Sequence, residues 1–432
     1  MSRTQPDPSL NKTRKAKNPA MTTTTPDIRV LDPDTYANGD PTTFGLPLDQ
    51  YTYLRDHDPC HLAEFDDPLL VDRAWVVTRH EDIWAVDRTP ELYAADRGPI
   101  NVWRISPVDP NVGGKPAMLT MDGDKHRSQR MVMSKAFTPR MVKHLEDKFR
   151  EYAVHIVDAA LEKGTMNFVT DIGHKMPMEA LGDVLGVPRE QRPQFFNWVD
   201  TIAAPFDTRI TPSFETVVEN GTKLMEYALV LADLKRREPG NDVYTKLVEA
   251  GEELVSVDEL QGNVLLLAGG AAESTRSALS HGMHELMRNP EQMAYLRERA
   301  NDIPAGAIEE IVRIASPFVH MARTATRDHQ LHGKQIKEGD LVIMLFAAGN
   351  FDERVIVDPA TFDLSREPNP HLGFGRGPHQ CLGKHVATLE MKILFEELLR
   401  RTKDIQPAGD IVYVRDSFSR GVYELPVTLI PA

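Results

Sequence analysis

His371-Leu372-Gly373-Phe374-Gly375-Arg376-Gly377-Pro378-His379-Gln380-Cys381-Leu382-Gly383 is the stretch on which the fold of this chain is decided. It sets one cysteine in a glycine-broken loop, directly ahead of an apolar helical run over residues 384–401. A thiolate stays ionised only where charge or donors compensate it, and a helix N-terminus with free backbone N–H groups supplies both. Gly375, Gly377 and Gly383 let the backbone turn tightly and let a large flat ligand come close. A soft thiolate presented in this way suits iron. A cysteine alone is more often an inert core residue; the residues around Cys381 argue against that here.

Working outward, Glu310-Ile311-Val312-Arg313 ends 68 residues before the cysteine (381 − 313). It places a carboxylate and a guanidinium one helical turn apart. Exposed, such a pair contributes about 0.2–0.5 kcal/mol; buried, it is tolerated only if fully hydrogen-bonded. Further upstream, Ser256-Val257-Asp258-Glu259 is a capping box that starts a helix cleanly. The helix runs to Arg288, before Asn289-Pro290, and its length of roughly 48 Å crosses a whole molecule of this size. Inside it lies Leu267-Ala268-Gly269-Gly270-Ala271-Ala272-Glu273-Ser274-Thr275. Adjacent glycines in a helix interior cost on the order of 1 kcal/mol each. They either let a neighbouring helix approach or leave room for a diatomic molecule over a flat ligand and permit a local bulge. Glu273, followed by Ser274 and Thr275, supplies an acid–alcohol pair able to relay protons.

The cysteine loop matches the pattern Phe-Gly-x-Gly-x-His-x-Cys-x-Gly in full, and with it the chain resembles the cytochrome P450 family from about residue 31 to residue 431. The resemblance implies a mainly α fold, the cytochrome P450 fold, a helical domain with a small β-rich subdomain over residues 27–432. It implies haem b as cofactor, with Cys381 ligating the iron and Phe374, Gly375, His379 and Gly383 lying against the ring. It implies that Glu310 and Arg313 form a buried structural pair behind that loop. His126 and Arg130, one helical turn apart, and Arg323 with His379 are nominated as partners of the haem propionates. Glu273, Ser274 and Thr275 fall on the family's oxygen-activating motif, from which the sequence departs twice. Ala271 stands in place of a glycine, and Ser274 in place of a threonine, losing the methyl that fixes the hydroxyl rotamer. The loop over residues 97–114 would cover the substrate pocket. Leu266 and Gly270, two turns and one turn before Ser274, are candidate pocket residues, as are Phe318, Val319 and Phe418; each suits core packing equally.

The activity implied is a monooxygenase that uses O2 and inserts one of its oxygen atoms into a C–H bond of a hydrophobic small molecule. The runs from Glu309 to Pro317, Pro368 to Gly375 and Gly421 to Val427 look most like soluble bacterial members acting on steroids, branched lipids or terpenoids. With no flavin or iron–sulfur module in the sequence, NAD(P)H-derived electrons would come through a ferredoxin-type donor and its reductase. That donor would dock over residues 125–143 and Lys384. A peroxide-driven peroxygenase is the nearer alternative, and a non-enzymatic haem sensor the more distant one.

Composition bounds the rest. Of 432 residues, 41% are hydrophobic and 26% charged, an ordinary globular balance. No apolar run approaches the roughly 18 residues of a membrane span. A net charge of −14 argues against nucleic acid as a partner, since phosphate binding needs clustered positive charge. The positive stretch over residues 125–143 is the local exception, and a solvated helix face would also account for it. Residues 1–26 read as a disordered tail and not a signal peptide. Two cysteines, one committed to iron, leave no disulfide, and the expectation is a cytoplasmic monomer with Cys60 inert.

Overall fold

A computed structural model of the chain describes residues 26–104, 114–137, 139–205 and 207–432. Residues 1–25 and 105–113, where the sequence places a tail and the middle of the pocket loop, lie outside the described residues. The helices are α1 (Pro33–Ala37), α2 (Leu48–His57), α3 (His80–Arg88), α4 (Gly123–Ser134), α5 (Pro139–Lys163), α6 (Lys175–Leu185) and α7 (Arg192–Ala203). They continue with α8 (Phe214–Arg237), α9 (Val243–Glu249), α10 (Val257–Arg288), α11 (Pro290–Arg297), α12 (Ala305–Ala315), α13 (Phe346–Gly349) and α14 (Lys384–Arg401). The strands are β1 (Cys60–Glu64), β2 (Arg73–Val77), β3 (Tyr93–Ala94), β4 (Thr165–Asn167), β5 (Met321–Ala325) and β6 (His329–Leu331). The remainder are β7 (Lys334–Ile336), β8 (Leu341–Met344), β9 (Thr402–Pro407), β10 (Val412–Tyr413), β11 (Val422–Glu424) and β12 (Pro426–Pro431).

The long helix begins as its sequence dictates. Ser256 Oγ accepts from Glu259 N, and the Glu259 carboxylate accepts from Ser256 N at 2.7 Å, closing the capping box. Helix α10 then joins two apolar clusters. Its first half (Leu260, Val264, Leu265, Ala268, Ala272) packs with α4 and α6–α9. Its second half (Ala278, Leu279, Met283, Leu286) packs with α5, α12 and α14. The stretch with the two glycines and the acid–alcohol pair sits at the handover between the clusters.

The alternation over residues 321–346 predicts one small sheet, but its strands divide between two. Strands β5 and β8 enter a five-stranded sheet of order β1-β2-β8-β5-β3, whereas β6 and β7 form a separate hairpin. Strands β2 and β8 run parallel, pairing Trp75 with Val342. Alternation within a segment reports that it is extended, not which distant strand it meets. Helix α11 was also not foreseen: Asn289-Pro290, which stops α10, supplies the N-terminal proline of the next helix. No helix among the described residues is long and apolar enough to cross a membrane.

Candidate active site

A cavity of about 520 Å³ lies between the cysteine loop and α10. The loop is held in shape by its own backbone. Gly375 N donates to Leu372 O at 2.8 Å and Cys381 N to Phe374 O at 2.8 Å, while Gly375 and Gly377 take φ of 63° and 67°. A side chain at Gly377 would also meet the Asp87 carbonyl, with its Cβ at 2.5 Å from the oxygen. Asp87, at the end of α3, braces the loop by accepting from Arg376 N at 2.7 Å, and Asn350 Oδ1 accepts from Leu372 N at 2.6 Å. The result places Cys381 three residues ahead of α14, its exposed surface opening into the cavity. Burial pushes its thiol up, against the backbone N–H groups of Gly383 and Lys384 and the charges of Arg130 and Lys384. Metal coordination deprotonates a thiol outright and overrides that balance.

Behind the loop, Glu310 and Arg313 are fully buried and joined by two bonds of 2.8 Å. Arg313 also donates to the carbonyls of Asn350 and Pro359, and Glu310 accepts from Arg366, Asn369 Nδ2 and Asp363 N. No donor or acceptor of the pair is left bare, which is what makes such burial tolerable.

Opposite the cysteine, α10 presents Leu266, Gly269, Gly270, Glu273, Ser274 and Thr275 to the cavity. A Cβ built on Gly269 or Gly270 would meet nothing within 4 Å, whereas one on Gly282 would lie 2.7 Å from the Ile311 side chain. Gly282 is therefore the helix-packing glycine, and Gly269-Gly270 leave open space. The expected bulge is absent: α10 is α-helical throughout, and Ser274 Oγ donates to Gly270 O at 2.7 Å as a second bond on that carbonyl. Glu273 is buried and ion-paired with Arg276, which reaches on to His174 and Asp200. Thr275 Oγ1 donates to Glu390 Oε1 of α14 at 3.2 Å. Burial pushes the Glu390 carboxyl up to about 8, and its second oxygen has no partner among the described residues.

The nominated cations gather on one side of the cavity. Arg130 lines it and donates to Gln380 O at 2.6 Å. Arg323, on β5, lines it too, tied to Asp87 at 2.8 Å. His379 lines it with Asp122 behind, and the His126 ring packs tilted against His379 with centroids 4.2 Å apart. His126 is buried, its Nε2 has no partner among the described residues, and burial with the neighbouring positive groups lowers it to about 4.

Of the pocket candidates, Leu266, Gly270, Phe318 and Phe418 line the cavity, and the rings of Phe318 and Phe418 pack at 5.2 Å. Val319 does not. Its N–H bonds Phe418 O at 2.9 Å and its fully buried side chain lies in the main core, because successive residues of an extended segment face opposite ways. Sequence reasoning missed Arg276 and Glu390; both stand in helical runs where charged residues are ordinary, so only burial marks them. It also missed Phe214, Val217 and Val218 of α8, which with Leu69 form the cavity's outer, apolar rim. Cys60 is buried, its thiol pushed up to about 12.

These residues fit an iron porphyrin: a cysteine sulfur on one wall, unfilled space beside two glycines on the other, and Arg130, Arg323 and His379 at one edge. The unpartnered Nε2 of His126 stands beside them. The cytochrome P450 family model matches residues 304–411. A steroid C26-monooxygenase of Mycolicibacterium smegmatis is 34% identical over 389 residues, 87% of this chain and 89% of that protein. A methyl-branched lipid omega-hydroxylase of Mycobacterium bovis is 34% identical over 319 residues, 72% of this chain and 74% of that protein. A Mycobacterium marinum cytochrome P450 solved in complex with pseudoionone superposes with a TM-score of 0.84 at 31% identity, covering 95% of this chain and 100% of that one.

Proposed function

The chain belongs to the cytochrome P450 family and is a monooxygenase, and from that premise we propose that it hydroxylates a steroid, branched lipid or terpenoid. Residues 27–432 act as one haem domain, and Cys381 is the ligand of the iron. The haem, when bound, supplies the reductive activation of O2. The observation that carries this reading is the sulfur at the head of α14, facing Gly269, Gly270 and Ser274 across a cavity that is otherwise mostly apolar. Arg130 and Arg323 would neutralise the propionates, and His126 and His379 would hydrogen-bond them.

The remaining roles belong to side chains. Glu273 would hold a proton-accepting site at the cavity wall, and the Ser274 hydroxyl, released from Gly270 O, would pass a proton into the cavity. Phe318, Phe418, Leu266 and the rim of α8 exclude water and hold an aliphatic substrate by apolar contact. That lining suits the substrates named for the two relatives, a steroid and a methyl-branched lipid. Electrons arrive from a ferredoxin-type donor and its reductase.

The test is spectroscopic. The haem-loaded protein, reduced under carbon monoxide, is expected to show the strongly red-shifted Soret band of thiolate ligation, and Cys381→Ala to lose it. A low-to-high spin shift on titration with steroids bearing aliphatic side chains, methyl-branched fatty acids or terpenoids identifies the substrate class. Product formed with NAD(P)H and donor proteins, and not with peroxide alone, separates the monooxygenase from a peroxygenase. No spin shift with any of the three classes would sink the substrate assignment.

A further inference from the structure

Behind the cysteine loop lies a second, smaller ionic group that the monooxygenase reading does not use. Glu309, beside the buried Glu310 on α12, turns towards the loop instead of away from it. Its Oε2 accepts from His371 Nε2 at 2.7 Å, and its Oε1 lies 3.2 Å from Lys384 Nζ at the first turn of α14. His371 is the first residue of the cysteine motif, and its Nδ1 accepts from Gly373 N at 3.1 Å. With Nδ1 accepting, the ring is the neutral tautomer whose Nε2–H points at Glu309. Burial, the largest influence on His371, also disfavours its charged form. The ammonium of Lys384 stands 5.1 Å over the ring of Phe374, which lines the cavity. Lys384 begins α14 three residues after Cys381, so its charge sits at the base of the loop that presents the sulfur.

We propose that Glu309 is a positioning residue that cancels the charge of Lys384 and thereby sets the reduction potential of the iron held by Cys381. The inference rests on the haem-thiolate reading above. A group of one carboxylate, one ammonium and one neutral imidazole sums to no net charge. The Glu309 and Lys384 side chains are only 20% and 31% exposed, so solvent screens them less than it screens a surface pair. One-electron reduction of the ferric centre adds one negative charge beside the loop, the electron coming from the donor protein or a chemical titrant. An uncompensated cation stabilises that added charge, and an uncompensated carboxylate opposes it. His371 contributes geometry: its single N–H fixes the carboxylate so that the other oxygen faces Lys384. The same pairing means that Lys384 is not a free docking cation, and an acidic partner would have to compete with Glu309 for it.

The experiment is a spectroelectrochemical titration of the haem-loaded protein and three variants, Glu309→Gln, Lys384→Met and the double substitution. Each midpoint is read beside the carbon monoxide spectrum. Glu309→Gln is expected to shift the midpoint to more positive potential and Lys384→Met to more negative potential. The double variant should return close to wild type. A merely structural pair would move both single variants the same way, or leave the potential unmoved while haem retention falls, and either result overturns the proposal. If Glu309→Gln does not retain haem, Lys384→Met decides alone: a lower midpoint supports the proposal and an unchanged one overturns it. Failure of the haem-thiolate reading itself is distinct, because the wild type would then lack the red-shifted carbon monoxide band.

Discussion

Glu390 shows how much of a residue's chemistry its surroundings decide. In the sequence it is one charged residue in a helical run; in the fold it is buried against Thr275, beside the cavity. Desolvation pushes its carboxyl up to about 8 from the ordinary 4.5, the Thr275 hydrogen bond opposing only part of that. At neutral pH the native protein therefore holds a proton that the unfolded chain has released. Between about pH 4.5 and 8 the unfolded state binds fewer protons than the native state, so this group's contribution to stability falls as pH rises through that window. Glu390→Gln keeps the shape and removes the titration. Its stability relative to wild type is expected to rise from pH 5 to pH 8, by up to about 1.4 kcal/mol per pH unit. Denaturant unfolding of both haem-loaded proteins at three pH values checks this, and a constant gap would mean that Glu390 is ionised throughout. Thr275, read from sequence as a member of the proton relay, has its hydroxyl turned to this carboxyl, which leaves the Ser274 hydroxyl, on Gly270 O, as the one proposed for the relay.

At the scale of elements, what was legible were features whose cause is local. The capping box of α10 and the start of α14 after the cysteine loop follow from residues within a turn or two of each boundary. Which strands pair was not legible, because β5 meets β3 and β8 through contacts no local pattern encodes. The Glu-x-x-Arg pair is an intermediate case: its spacing could be read, but whether it lay on a surface or in the core could not. Buried as found, Glu310→Ala would leave the Arg313 guanidinium without its carboxylate among backbone carbonyls. The expected loss is roughly 3–5 kcal/mol of stability, with failure to retain haem, and the melting temperature together with the haem-to-protein absorbance ratio measures it. Helix α10 yields a functional prediction. Ser274→Ala removes the side-chain hydroxyl on Gly270 O, and is expected to release several-fold more peroxide per NAD(P)H consumed while substrate binding stays unchanged. Ser274→Thr, which restores the rotamer-fixing methyl, should lower that leak to wild-type level or below. Equal peroxide yields from all three proteins would remove Ser274 from proton delivery.

Across the whole molecule, a net charge of −14 makes any unpaired cation conspicuous to an acidic partner. The basic run that the sequence offers as a docking face is largely spent on internal pairs. Lys125 bridges to Glu259 and to Leu254 O, Arg127 to Asp124, and Lys143 to Glu146 and Asp147. Lys135, in the turn after α4, is exposed and has no ion pair among the described residues; the Arg140 side chain lies outside them. Helix α4 also carries Arg130, whose guanidinium holds the carbonyl of the residue before Cys381, so the outer face of α4 is one helix thickness from the cysteine loop. An electron delivered there crosses little protein. Lys135→Glu is therefore expected to slow the second-order rate of reduction by a ferredoxin about tenfold at low ionic strength, because a rim charge acts on association. The effect should fade as salt rises past about 0.15 M, where the Debye length shrinks to roughly 8 Å. Lys143→Glu, whose cation is already neutralised by two carboxylates, should change the rate less, and neither substitution should alter the substrate titration. Stopped-flow reduction under carbon monoxide measures all three rates. If Lys143→Glu slowed reduction as much as Lys135→Glu, pairing would not be what selects the docking cation, and net charge alone would account for the encounter.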